Sequence, residues 1–435
     1  DPMRYTAVPN ADDSEGVWGA AGVNAANISM TATETLTSND RVLSADPLVT
    51  FCPAEDGKAE KPGGIGEEDI ITLVLPYIRS AREGVLRLGS LLEQYGTYEM
   101  NGIAFQDLDE VWWLETVGGH HWIAKRVPDD AYVVMPNQLG IDSFDLGDAF
   151  GEKKEHLCSP DMREFIRDNF LDLSLDGRLN PRDAFGSHSD SDHVYNTPRA
   201  WYIQRFFNPH GCRWEGPGAE LGPESDDIPW ARVPERKLTP EDVKYVLSNH
   251  FQGTPYDVYA SHGDLSLQGL YRPTGINRNN FLSLVQLRPY RPRAIAPVIW
   301  LAFASNVFNS FVPFYTCVEE TPAFLGNATT EVSTDNFYWA NRLIGAMADA
   351  HFGPCLPHIE HYQSEVLNEG HGLIKCWDKK ITEALHDGSG DCTALCMEAN
   401  REIETMLKKK TAAVLAKVLD EASRRMKNSF SRADS

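Results

Sequence analysis

Two polar residues at the ends of predicted elements have side chains suited to hydrolytic chemistry. The pattern of residues 129–138 predicts a strand, and Asn137 follows the end of that strand, at the open end of a sheet. An amide at that position can donate a hydrogen bond to a developing oxyanion. Arg199 directly follows a proline at the start of a predicted helix, where a guanidinium can hold a carboxylate or position a nucleophile. Taken alone, each has a more common role, because an asparagine after a strand usually forms a turn and an arginine near a helix start is usually solvent-exposed.

Two groups of residues have the short spacing that metal ligands often show. They are His351, Cys355, His358 and His361 in the first group, and His188, Asp190, Asp192 and His193 in the second. Zinc sites use such residue types at such spacing. Pro354 and Pro357 interrupt the first group, however, and the second falls in a Ser/Asp-rich segment typical of a solvated loop. We therefore expect ordinary helix-junction and surface residues, and we predict no metal site.

Other catalytic motifs are missing from the sequence, and its cysteines are scattered. No Gly-x-Gly-x-x-Gly opens a helix after a strand, and neither a P-loop nor a Gly-x-Ser-x-Gly elbow occurs. The eight cysteines lack the density of a disulfide scaffold and favour a reducing compartment, so we predict a cytoplasmic location. Cys392 and Cys396 lie one helical turn apart, which indicates buried packing residues, with a redox or metal pair as the alternative.

The elements that must position these residues form alternating blocks of strands and helices. We predict strands at 22–24, 28–33, 110–116, 121–127, 131–135, 281–287, 296–304 and 311–316, and helices at 70–78, 80–96, 162–171, 199–207, 239–251, 335–351, 359–384 and 393–428. The three strands between 110 and 135 have short turns and indicate an antiparallel meander. This order favours an α+β sandwich over a doubly wound parallel sheet.

Composition limits the classes of partner. The chain has 435 residues, of which 42% are hydrophobic, so it can bury a large core. Its 63 Asp and Glu residues outnumber 40 Lys and Arg, which gives a formal charge of −23. Such a surface repels phosphate backbones and anionic lipid, and we predict no nucleic-acid or membrane partner. The longest apolar run, residues 295–314, is broken by prolines and polar residues and indicates two core strands, not a membrane span.

Several short segments together carry a resemblance to a known family. They are residues 2–10, 22–24 with 32–35, 111–116 (Val-Trp-Trp-Leu-Glu-Thr), 126–130, 253–257 and 338–342. In this order they resemble the dipeptidases of lactic-acid and related bacteria, peptidase family C69. These are relatives of the secernins and, more distantly, of choloylglycine hydrolases and penicillin V acylases. The likeness runs from Asp1 to about His351.

The resemblance implies the fold of an N-terminal-nucleophile hydrolase. That fold is a four-layer αββα sandwich, which we assign to residues 1–334, with a helical C-terminal region, residues 335–435, packed on it. The nucleophile in the family is a cysteine that becomes the first residue after a propeptide is removed, and its own α-amino group is the general base. By this likeness the cysteine precedes Asp1, so we expect it to lie outside this sequence.

The resemblance also implies roles for four residues. Asn137 matches the position that helps form the oxyanion hole, and Arg199 matches an arginine that steadies the nucleophile region. Asn24 and Glu34 lie on the hairpin that lines the site in relatives, where Glu34 is expected to contact the free amine of the substrate. The implied activity is hydrolysis of small unblocked dipeptides, by acyl transfer to thiol and then to water, without a cofactor.

Two alternatives remain open at this point. The first is an amidase or acylase on the same fold that cleaves a non-peptide amide. The second is a non-catalytic, secernin-like interaction protein. Small dipeptides are the expected partners, and self-association into a homo-oligomer is left open.

Overall fold

Helices and antiparallel strands occur in both halves of the chain, so the fold class is α+β, as predicted. The computed structural model describes residues 1–12, 14, 16–31, 34–55 and 57–427, without the side chain of Glu34. The chain divides into two compact units, Asp1–Leu238 with Leu270–Arg272, and Thr239–Gly269 with the residues from Pro273 onward. This division falls well before residue 334, and the assignment of domains 1–334 and 335–435 stays a prediction.

An antiparallel sheet organises the first unit. Its strands are β1 (Tyr5–Ala7), β2 (Ala21–Asn24), β3 (Ser29–Thr31), β4 (Glu34–Thr35), β5 (Asn101–Gln106), β6 (Val111–Val117), β7 (His121–Arg126) and β9 (His156–Cys158), while β8 (Tyr132–Val133) and β10 (Ala231–Arg232) form a separate ribbon. The order is β1-β2-β3-β5-β6-β7-β9, and β4 also pairs with β5. The register places Glu115 of β6 between Gly102 and Ile123 of its neighbours.

The predicted meander is right for β6 and β7 but wrong for its third strand. The segment around Tyr132 leaves the sheet and pairs with β10, and β9 takes the place beside β7. A turn in which the Ala131 amide donates to the Pro128 carbonyl redirects the chain. Alternation of apolar and polar residues predicts a strand but does not identify its neighbour, and here the neighbour comes from residues further along the chain.

The first unit also contains helices, several of which contribute to the apolar clusters on this sheet. They are α1 (Asp40–Ala45), α2 (Glu67–Val74), α3 (Ala81–Tyr95), α4 (Leu146–Phe150), α5 (Met162–Asp168), α6 (Pro181–Phe185), α7 (Asp192–Tyr195) and α8 (Thr197–Phe207). The Ser80 hydroxyl caps α3 by accepting from the Glu83 amide at 3.1 Å, and the helix ends at Gly96, where the predicted helix also ends. The Glu83 carboxylate accepts from the amide of Arg79, so it does not complete a capping box with Ser80.

Alternation along β6 separates two apolar clusters. Trp112 and Leu114 belong to the cluster that α2 and α3 complete. Trp113 belongs to the other cluster, which includes Leu139 and Ile141 from the segment after β8. Because successive side chains of a strand point to opposite faces, β6 contributes to the core on both of its sides. The second cluster therefore fixes the segment that follows Asn137.

The second unit contains a smaller antiparallel sheet and the long helices. Its elements are α9 (Pro240–Leu247), β11 (Phe281–Leu287), β12 (Pro297–Phe303), β13 (Val312–Tyr315), α10 (Ala323–Gly326), α11 (Phe337–Ala350), α12 (Phe352–Asp387) and α13 (Cys392–Arg424). The apolar run 295–314 forms β12 and the start of β13, as predicted. Among the described residues, no helix has the length and apolar character needed to cross a membrane. The predicted end of the last helix, residue 428, lies outside the described residues.

A cysteine cluster in the second unit agrees in part with the sequence interpretation. Cys396 is buried, whereas Cys392 is only half-buried, and both thiols are free. A hydrogen bond with Cys317 raises the pKa of the Cys392 thiol to about 11. A thiol with this pKa stays protonated at neutral pH, which fits a packing role better than redox chemistry.

Candidate active site

The residue Asn137 lies in a tight turn a few residues beyond β8. The amide of Gln138 donates to the carbonyl of Pro136 at 2.6 Å, so Asn137 is the middle residue of a three-residue turn. Asn137 itself is half-buried. The turn thus holds the backbone tightly while its central side chain keeps access to solvent.

Arg199 contacts Asn137 directly. Its Nη2 donates to Oδ1 of Asn137 at 2.7 Å and to Oδ1 of Asn196 at 2.8 Å, and its Nε donates to the carbonyl of Tyr195 at 2.7 Å. The arginine is only 7% exposed, so it is not the solvent-exposed charge that its position alone suggests. The structure therefore brings together the two residues predicted to be catalytic.

This contact determines the orientation of the Asn137 amide. A guanidinium has only donors, so it must face the oxygen of Asn137, and the NH2 group points elsewhere. Among the described residues, no acceptor contacts that NH2 group. Asn137 is consequently held by its oxygen while its two N–H donors remain available, which is the arrangement that an oxyanion donor requires.

Asp192 and Asn196 form a second layer behind this pair. The side-chain NH2 of Asn196 donates to the carbonyl of Asn137 at 3.0 Å and to Asp192 at 2.6 Å. The other oxygen of Asp192 accepts from the hydroxyls of Ser187, at 2.7 Å, and Ser189, at 3.0 Å. Asp192 is buried, so placing it in a solvated loop was wrong. Its one sequence signal is the spacing of four residues to Asn196, the residue that follows α7.

The groups weighed as metal ligands have other partners. Among the residues that the structure describes, no three His, Cys, Asp or Glu side chains are grouped to hold a metal ion. His193 forms a hydrogen bond with Asp226 at 3.0 Å, and Asp192 accepts the hydrogen bonds described above. In the other group, His358 lies 3.4 Å from Glu421.

Asn24, the third predicted site residue, uses all its side-chain polar atoms on backbone. Its NH2 group donates to the carbonyls of Leu75 and Ile78, both at 2.8 Å. Its Oδ1 accepts from the amides of Ala26 at 2.9 Å and Ile28 at 3.0 Å. These bonds close the turn between β2 and β3 and tie it to the segment after α2. They give no support to substrate contact by Asn24, which stays a prediction.

Glu34, the fourth predicted residue, is described only by its backbone. It begins β4, where it pairs with Gly102 of β5. Its side chain lies outside the described part of the chain, as do residues 32 and 33 of the motif that suggested it. Contact between Glu34 and the substrate amine therefore stays a prediction.

Comparison with known proteins places the chain in a family. A family model described as Peptidase family C69 matches residues 1–365. A protein named Dipeptidase from Bifidobacterium longum (strain NCC 2705) is 60% identical over 88% of this chain and 72% of its own length. Probable dipeptidase A from Streptococcus pyogenes serotype M18 is 47% identical over 100% of this chain and 86% of its own. Probable dipeptidase B from Lactococcus lactis subsp. lactis (strain IL1403) is 41% identical over 99% and 85%.

The matched family and the names of these relatives identify the chain as a peptide-bond hydrolase. The chain belongs to peptidase family C69. The resemblance noted in the sequence is thereby confirmed.

Proposed function

We propose that the protein is a cysteine-type dipeptidase that hydrolyses small dipeptides with free termini. The observation that carries the proposal is the Asn137 amide, which Arg199 holds by its oxygen while its NH2 group stays available. The names of three similar proteins, all called dipeptidases or probable dipeptidases, support the substrate class. A donor in this arrangement stabilises the tetrahedral intermediate of acyl transfer.

In the proposed reaction the nucleophile is a cysteine that, by family resemblance, precedes Asp1 in the mature protein. Its α-amino group, with an ordinary pKa of about 8, takes the thiol proton. The thiolate attacks the peptide carbonyl, and the oxyanion accepts a hydrogen bond from Asn137. Collapse breaks the carbon–nitrogen bond, and the leaving amine takes the proton from the α-ammonium group. Water, whose proton passes to the α-amino group, then cleaves the thioester, which releases the N-terminal amino acid with a free carboxylate and restores the thiol.

The described cysteines of the first unit support a nucleophile from elsewhere. Burial raises the pKa of the Cys158 thiol to about 12 and also raises the pKa of Cys212. A nucleophilic cysteine needs the opposite, a thiol that ionises near neutral pH. Cys52, the earliest cysteine, is exposed in a Pro- and Gly-rich loop.

The four-layer αββα sandwich and the domain boundary near residue 334 belong to the same proposal. Each unit contains an antiparallel sheet with helices against it, α2 and α3 in the first and α11, α12 and α13 in the second. Two antiparallel sheets with helical layers are the components that such a sandwich requires.

The test uses the full-length protein with its native upstream sequence. The mass and first residue of the mature protein are measured, and hydrolysis is compared on a panel of free dipeptides, N-acylated dipeptides and non-peptide amides. An N-terminal cysteine, with activity on free dipeptides that is lost when that cysteine becomes serine or alanine, is the expected result. Preference for acyl amides would identify an amidase instead. Another first residue, with no hydrolysis, would favour a secernin-like binding protein.

A further inference from the structure

Glu115 of β6 is a buried carboxylate next to the segment that carries Asn137. It is 0% exposed. Its Oε1 accepts hydrogen bonds from the amides of Gly140 at 2.7 Å and Ile141 at 3.3 Å, and from the indole of Trp113 at 3.1 Å. Its Oε2 is also buried and has no hydrogen-bond partner among the described residues. Glu115 therefore directs one oxygen at the backbone of this segment.

The segment is anchored at both of its ends. At one end, Asn196 binds the carbonyl of Asn137 and Arg199 binds its side chain. At the other end, Glu115 binds the amide of Gly140, while Arg182 donates to the carbonyl of the same glycine at 2.7 Å. Only two residues separate Asn137 from Gly140, so displacement of the glycine moves the asparagine.

We propose that Glu115 is a positioning residue for the oxyanion donor, because its Oε1 fixes the backbone at 140–141 and through it the amide of Asn137. The inference rests on the proposed function and deepens it. The contribution is specific to the transition state, since an oxyanion donor binds charge that the substrate carbonyl does not yet have.

Glu115 can hold the backbone at 140–141 whether its carboxyl group is protonated or ionised. Burial raises the pKa of Glu115 to about 7, although the backbone hydrogen bonds and the charge of Arg182 oppose the shift. Lys125 also interacts electrostatically with Glu115. A proton on Oε2 leaves Oε1 free to accept from the two amides, as does the ionised carboxylate. A glutamine, which is neutral and of the same shape, can therefore replace it.

The experiment compares three replacements in the full-length enzyme, with dipeptide turnover normalised to folded protein. Glu115→Met fills the volume without an acceptor, and we expect kcat to fall about tenfold or more with KM within about twofold. If Glu115→Met does not fold, Glu115→Asp takes its place. The aspartate side chain is one methylene too short to reach both amides, so kcat should fall in this variant as well. Glu115→Gln should restore kcat to within about threefold of wild type. Glu110→Gln, a partly exposed glutamate just before β6, is the matched control for the charge change.

A double-mutant cycle separates positioning from general stability. If Glu115 acts through Asn137, adding Glu115→Met or Glu115→Asp to Asn137→Ala should lower kcat by less than about twofold more. A full additional loss in the double variant, or unchanged kcat in both single variants, would overturn the inference. In that event the proposed function still holds, provided that the wild type is active and that Asn137→Ala lowers its turnover. A wild type without dipeptidase activity would instead remove the proposed function itself.

Discussion

Two asparagines that the sequence assigns to the site, Asn24 and Asn137, have opposite environments. Asn24 is buried, and each of its side-chain donors and lone-pair acceptors is matched to a backbone group. Asn137 is held only through its oxygen, by Arg199, and keeps its NH2 group available. A saturated amide contributes to folding, whereas an oxyanion donor must be held firmly and yet leave a donor for the reaction. The same residue type thus serves two purposes that differ only in how many of its hydrogen bonds the protein itself makes.

A parallel contrast separates two buried carboxylates. In the second unit, Asp378 accepts from Arg288 at 2.7 and 3.1 Å and from the hydroxyl of Tyr315 at 2.8 Å, which joins α12 to its sheet. In the first unit, Glu115 has backbone and indole donors on one oxygen and none on the other. The paired carboxylate is a structural link, and the incompletely paired one lies beside the candidate active site.

The largest expected effect is on stability, at Asn24. Asn24→Ala removes four hydrogen bonds and leaves buried backbone groups unsatisfied, at about 1 kcal/mol or more each, so we expect about 4 kcal/mol lower free energy of unfolding. Urea denaturation of wild type and variant measures it, and turnover per folded molecule should stay unchanged. Loss of kcat/KM without loss of stability would support the predicted substrate contact and break the contrast with Asn137.

The next effect is a pH dependence of stability that comes from the Asn137 region. The pKa of Glu115 rises from 4.5 to about 7 on folding, so between those pH values the folded protein retains a proton that the unfolded chain has released. Its contribution to the free energy of unfolding therefore decreases as pH rises, by about 3 kcal/mol between pH 4.5 and 7. We expect Glu115→Gln to show a flatter dependence across this window and Glu110→Gln to retain the wild-type one. Equal slopes in all three proteins would contradict the shift.

The third expected effect is on turnover, and it tests the role of Asn137 in the comparison with Asn24. Asn137→Ala removes the oxyanion donor, and we expect turnover to fall about 100-fold, equivalent to about 2.7 kcal/mol, with stability changed far less than by Asn24→Ala. Asn137→Asp is the matched control, since it keeps an oxygen for Arg199 but has no N–H to donate, and a similar loss is expected. Unchanged turnover in both variants would remove Asn137 from the mechanism.

The sequence predicted which segments form helices and strands better than it predicted which strands pair with each other. Helix α3, with its Ser80 cap and its end at Gly96, follows from local residues, as do β6 and β7. The pairing of β7 with β9 does not, because partner choice depends on residues distant in the chain.

The candidate site was only partly predictable, for a similar reason. Asn137 and Arg199 were singled out from their positions after a strand and at a helix start and assigned roles by family resemblance, and the 2.7 Å contact between them comes from tertiary structure. Asp192 was misjudged because a run of Ser and Asp is typical of an exposed loop, although here it is buried and its carboxylate accepts hydrogen bonds from Ser187 and Asn196. Glu115 has no local signal beyond a strand motif, since its importance comes from backbone amides some 25 residues later in the chain.

The smallest expected effect concerns the group that orients Asn137. Arg199→Lys keeps the positive charge, but a single ammonium lacks the planar fork that binds Asn137, Asn196 and the carbonyl of Tyr195 together. We expect kcat to fall about tenfold with little change in KM, because the amide is misaligned and not removed. Arg205→Lys, on the same helix and paired with Glu215 at 2.7 Å near the surface, should leave kcat unchanged. If both lysine variants matched wild type, orientation of Asn137 would not depend on the guanidinium, and the contrast with the backbone-bound Asn24 would rest on the turn alone.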